Sequence, residues 1–81
     1  MDELTDKKRL ADFGKKLKRL RVKKNISQEE FAAKTELDRT YISGLERGKR
    51  NPSFLTLIKL AQTLDVPVGQ LFNGENENDS D

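Results

Sequence analysis

Apolar residues at Leu10, Phe13, Leu17 and Leu20 recur at steps of three and four, with Lys and Arg filling most positions between them. That spacing is the stripe of an amphipathic helix. Thr5 or Asp6 is placed to cap its start, and Asn25, a residue tolerated in the left-handed conformation, to end it. Ser27 followed by Glu30 forms a capping box, with Ile26 and Phe31 in the hydrophobic-staple positions around it, so a second helix is expected from Gln28 to about Thr35. The device recurs: Asp38 can cap a third helix beginning at Arg39, with Leu37 and Ile42 as the staple and Gly48 as its stop. Beyond the basic turn Lys49-Arg50-Asn51-Pro52, Ser53 caps a fourth helix that is expected to carry Phe54, Leu57, Ile58, Ala61 and Leu64 inward, until Asp65-Val66-Pro67 breaks it. A short fifth helix, with Pro67 near its start, is expected to hold Val68, Leu71 and Phe72 against the core. No solenoid repeat and no strand-like alternation is present. The pattern predicts an all-α, compact five-helix domain over residues 6–72. Residues 1–5 read as an N-terminal extension, and residues 73–81, without an apolar side chain, as an acidic disordered tail.

Composition narrows the chemistry. At 81 residues the chain suits one small domain of marginal stability. With 0 Cys there is no disulfide framework or thiolate site, and with 0 His the commonest general base and metal ligand are missing. The acidic residues are scattered, with no convergent pair, so no catalytic residue, metal site or cofactor site is assigned, and no small-molecule ligand is evident. No apolar run approaches the roughly 20 residues that span a bilayer. The start, Met1 to Asp6, lacks the layout of a signal peptide, so a cytoplasmic protein without a membrane partner is expected. Formal net charge is only +2, but its distribution is lopsided: basic residues from Lys7 to Lys24 crowd the first third, and none follows Lys59. Such asymmetry suits a polyanion partner on one side, or else a solvated helix face with a solubilising tail.

The second and third helices are separated by only a few residues around Thr35-Glu36-Leu37-Asp38, the layout of a helix-turn-helix, whose second helix can enter a DNA major groove. Ala32 is small enough to let the two helices cross closely. With Ile42 and Leu45 facing inward, Arg39, Thr40, Ser43 and Arg47 fall on the outward face. Arg can donate bidentately to guanine, and Thr and Ser hydroxyls pair with several base edges.

These segments, from Gln28 to Ala32, Leu37 to Ser43 and Leu45 to Ser53, resemble the phage repressor/Cro family of regulators. The stretch from Asp38 to Ser43 is especially similar to controller proteins of restriction-modification systems. The resemblance runs from about Phe13 to Phe72. It implies a phage-repressor-like fold and a sequence-specific transcriptional regulator, repressor or activator or both, that binds partly palindromic double-stranded DNA as a homodimer. It further implies base contacts from Arg39 and Thr40, with Tyr41 and Ser43 at the groove wall. Gln28, Arg47, Asn51 and Ser53 would hold backbone phosphates, and Lys49 and Arg50 would add charge beside the backbone. Arg21 and Glu46 match a family ion pair, and Val68 lies where family dimers meet.

The chain departs from the family pattern at Glu36, which stands where the turn usually has Gly, at a position expected to need positive φ. It departs again at Gly44, which replaces a base-reading side chain and is expected to admit close approach of DNA. Plain structural roles stand beside the functional ones. Gln28 is also a good first-turn helix former, Arg39 and Ser43 could be simply solvated, Thr40 could serve the local turn, and Tyr41 could be half-buried beside Leu37. An alternative function is an antitoxin-like module that binds a protein partner, with DNA contact secondary.

Overall fold

The computed structural model describes residues 3–72, so the expected tail 73–81 and the first two residues of the expected extension lie outside the described residues. The described residues form α1 (Glu3–Lys23), α2 (Gln28–Thr35), α3 (Arg39–Glu46), α4 (Phe54–Leu64) and a 3₁₀ segment (Val68–Phe72), with no strand among them. None of these helices is long and apolar enough to cross a membrane.

Each of the three later helices starts on a side-chain acceptor. Ser27 Oγ accepts from the Glu30 N–H at 3.0 Å, Asp38 Oδ1 from the Thr40 N–H at 3.0 Å, and Ser53 Oγ from the Thr56 N–H at 3.2 Å. A first-turn N–H has no partner inside its helix, so each contact satisfies a donor that would otherwise need water. At Asp38 the Thr40 N–H, and after it the Thr40 hydroxyl at 3.0 Å, hold the carboxyl below its ordinary value of 3.8, because both bonds favour the charged form.

All four α-helices stop in the same way. Asn25, Glu36, Gly48 and Asp65 adopt left-handed φ of 61°, 61°, 76° and 59°. In each case that residue and the next donate backward to carbonyls of the last turn, over 2.8 to 3.3 Å. This is the Schellman ending, in which the residue after the left-handed one commonly makes an apolar contact. Ile26, Leu37 and Val66 follow that rule and pack against the core, whereas α3 is followed by Lys49.

The core gathers Phe13, Leu17 and Leu20 of α1, Phe31 and Ala32 of α2, Ile42 and Leu45 of α3, Leu60, Ala61 and Leu64 of α4, and Leu71. Two glycines set how closely α1 approaches the end of α3. A Cβ on Gly14 would lie 2.5 Å from the carbonyl oxygens of Leu45 and Glu46, and one on Gly48 would lie 2.9 Å from the Ala11 Cα. Only hydrogen fits at either place.

The structure corrects several expectations. There are four α-helices, not five: the last segment is 3₁₀, held by a Gln70 N–H bond to the Pro67 carbonyl at 2.9 Å. Five residues that include Gly69 are too few to propagate an α-helix. Phe54 does not point inward but is exposed, because it heads the first turn of α4 while the buried residues of that helix begin at Leu60. Phe72 is also largely exposed, although its ring stacks on Phe13 at 6.4 Å. Finally, α1 already includes Glu3, ahead of the Thr5 or Asp6 cap.

Two stability measurements follow from the helix ends. Left-handed backbone costs a side-chain-bearing residue about 1 to 2 kcal/mol, partly offset by the greater unfolded-state freedom of glycine. Glu36→Gly is therefore expected to stabilise the fold by about 1 kcal/mol, read as a higher melting temperature; an unchanged or lower one would show that the turn carries no such strain. A carboxyl held below its ordinary value contributes stability above that value and loses it as pH falls through the folded one. Asp38 should thus contribute to acid unfolding below pH 3.8, in a window that Asp38→Asn removes while keeping the acceptor. Urea melts between about pH 2 and about pH 5 should show a shallower acid slope for the variant, and equal slopes would exclude Asp38.

Candidate nucleic-acid interface

The candidate recognition surface is carried by α3, one side of which is fixed by Ile42 and Leu45, both with no exposed area. Arg39, Thr40 and Arg47 are exposed on the other side, with Ser43 half-buried among them. The Thr40 hydroxyl donates to Asp38, so toward a ligand it offers its remaining lone pairs and its methyl group. Ser43 Oγ accepts from Arg47 Nε at 3.3 Å, one helical turn on, which draws the guanidinium along the helix surface.

At the end of α3, Glu46 is buried and doubly bound by Arg21: Nε donates to Oε2 at 2.6 Å and Nη2 to Oε1 at 3.1 Å. Arg21 Nη1 also donates to the Ile26 carbonyl at 2.7 Å, so one guanidinium joins α1, the loop before α2, and α3. Gln28 joins the same network, its Nε2 donating to Glu46 Oε1 at 3.0 Å. Its amide is thereby oriented before any ligand arrives. A shallow depression lined by Arg21, Ser27, Gln28, Glu29 and Arg39 lies at the starts of α2 and α3. Its charges are mixed: the Glu29 carboxylate lines it beside Arg39, and the Arg21 guanidinium is already engaged by Glu46.

The remaining sequence-predicted residues sit on the turn after α3. Lys49, Arg50 and Asn51 are exposed, and Ser53, also exposed, is engaged as the α4 cap with its hydroxyl 3.0 Å from Thr56 Oγ1. Tyr41 is half-buried against the core, and the Arg50 guanidinium lies over its ring, 5.8 Å from the centroid. Gly44 does not leave open space for DNA as expected: the Arg50 stem covers it, and a Cβ there would lie 2.9 Å from Arg50 Cγ. Val68 is separate from all of these, at the start of the 3₁₀ segment.

Sequence reasoning missed Gly14 and the bond between Gln28 and Glu46. Gly14 had a signal, since it lies four residues after Leu10 and three before Leu17, on the apolar stripe itself. The Gln28 bond had none, because it joins residues 18 apart whose meeting depends on the crossing of α2 and α3.

Residues 17–71 match the helix-turn-helix family. The control protein C.MunI of Mycoplasma sp is 50% identical over 62 residues, covering 75% of this chain and 84% of that protein. The crystal structure of the restriction-modification controller protein C.AhdI from Aeromonas hydrophila superposes with a TM-score of 0.76 at 46% identity, covering 78% of this chain and 96% of that one. The controller protein C.Esp1396I, solved as a tetramer in complex with its natural 35 base-pair operator, superposes with a TM-score of 0.70 at 38% identity, covering 78% and 83%. With a family match over most of its length and relatives of this similarity, the chain belongs to the helix-turn-helix family of DNA-binding transcriptional regulators.

Proposed function

We propose that this regulator acts in the cytoplasm as a homodimer on a partly palindromic operator, laying α3 of each copy in the major groove of one half-site. The observation that carries this reading is the two-sided character of α3: Ile42 and Leu45 lock one side into the core while Arg39, Thr40 and Arg47 stand free of it on the other. Arg39, at the first position of α3, reads a base edge, and Thr40 adds its methyl and lone pairs. Ser43 and Tyr41 line the groove wall. Gln28, held by Glu46, takes a backbone phosphate at the start of α2, and Arg47, Asn51 and Ser53 take others, with Lys49 and Arg50 supplying charge. No catalytic residue, cofactor or small-molecule ligand enters this reading.

The dimer surface is assigned to the neighbourhood of Val68, which is 36% exposed. Phe54 and Leu55, 68% and 74% exposed, provide further apolar surface on the same chain. Two such copies would place their recognition helices about one turn of DNA apart.

Selection from a randomised duplex pool, followed by titrations at two salt concentrations, tests the operator reading. A two-fold-symmetric site should be enriched, whereas weak binding without enrichment would favour the partner-binding module instead. On the selected site, Arg39→Ala should cost about 1 to 3 kcal/mol and relax selectivity at one base position per half-site. Arg47→Ala should weaken binding to all sequences and flatten the salt slope by about one unit. A uniform loss for the first variant, or an unchanged slope for the second, would remove that residue from its role. For the dimer, Val68→Asp should abolish cooperative occupation of the two half-sites, measured by gel shift across protein concentration. Cooperative binding that survives the substitution would place the interface elsewhere.

A further inference from the structure

We propose that Gly44 is a positioning residue: by having no side chain it seats Arg50 across the recognition helix, so that a cation from outside α3 is presented to DNA as a fixed part of its reading surface. The inference rests on the operator-binding reading above and adds a residue that makes no contact with DNA itself.

Three observations converge on it. The Lys49 N–H donates to the Gly44 carbonyl at 2.8 Å, which turns the chain back over α3 directly before Arg50. The Arg50 stem then lies on Gly44, with Cγ, Nε and Cδ at 2.9, 3.5 and 3.7 Å from where a Cβ would stand. Beyond the stem, the guanidinium rests over the Tyr41 ring at 5.8 Å, within the range of a cation–π contact. Gly44 and Tyr41 are three residues apart and so lie on one side of the helix. Gly44 is buried although Arg50 is exposed, as a residue roofed by a long side chain should be.

The arrangement accounts for two local features. The other three helix endings place an apolar residue after the left-handed one and tuck it into the core, whereas this one places Lys49 and then Arg50, whose stem lies on the helix instead. Glycine inside a helix of only eight residues also lowers the stability of that helix, so a stabilising alanine would be expected unless the space were needed. A side chain held in place before binding loses less freedom on binding. Arg50 therefore differs from its neighbour Lys49. Its guanidinium lies over an aromatic ring, a contact Arg makes more often than Lys, and its N–H groups can donate to a phosphate at the groove wall.

The test uses opposite signs. Gly44→Ala should raise the melting temperature, because alanine favours the helix and Arg50 is flexible enough to leave its seat. The same substitution should weaken binding to the selected operator by about three- to tenfold. Arg50→Ala should weaken binding by at least as much, and the double variant should be no weaker than Arg50→Ala alone. In the free protein, the Arg50 Nε–H proton should show an upfield ring-current shift from Tyr41 that Gly44→Ala abolishes, a readout that needs no DNA. Undiminished affinity of the Gly44→Ala protein, additive losses in the double variant, or an Arg50 Nε–H proton without a ring-current shift would each overturn the seat. Failure of the unsubstituted protein to select any DNA would instead overturn the operator reading on which it rests.

Discussion

The placement of α3 depends on its joint with α1, and both halves of that joint meet at Glu46. Its main-chain carbonyl lies so close to α1 that only glycine fits at position 14, and its carboxylate is bound by Arg21 of the same helix. Gly14, Leu17 and Arg21 fall on one face of α1 at helical spacing, so a single stripe supplies the gap, the apolar contact and the charge. A buried pair of this kind gains little over a well-packed apolar pair, but loss of one partner strands a charge and costs about 3 to 5 kcal/mol. Its value here is directional. A guanidinium with bonds to Glu46 and to the Ile26 carbonyl fixes the end of α3, the loop before α2 and the body of α1 at once.

That joint also reaches the surface. Gln28 hydrogen-bonds the same carboxylate, so the first residue of α2 is oriented by the pair that sets the angle of α3. The depression at the two helix starts is thus lined in part by side chains of this network, Arg21 and Gln28. A binding surface built in this way spends little freedom on association. The same logic appears at the opposite end of α3, where the turn folds back on the helix and Arg50 lies over Gly44 and Tyr41.

Much of the fold was legible because it is written locally. Ser27, Asp38 and Ser53 lie directly before their helices and act within three residues along the chain, so the starts of α2, α3 and α4 follow from spacing alone. The ends are as local: Asn25, Gly48 and Asp65 are residues that tolerate or favour turns, and Glu36 was recognisable as an ill-suited residue at a left-handed position. The fifth element was misread because its apolar residues matched a helix while its length, with Pro67 before it and Gly69 inside it, allowed only a 3₁₀ segment. Phe54 was misread because periodicity assigns a face to a residue but does not say where along the helix the core ends.

By itself the sequence determined the starts of α2, α3 and α4, the ends of the four helices, most of their apolar faces, the short turn between α2 and α3, and the polar character of the outer side of α3. Each depends on interactions within one or two helical turns. Tertiary structure decided what could not be local. It brought Gln28 onto Glu46 across 18 residues, pressed Gly14 against the end of α3, and filled the space above Gly44 with Arg50. The physical reason is that a side chain's neighbours across a helix crossing depend on the angle and depth of that crossing. Those are set by the summed packing of all the helices, not by any one segment.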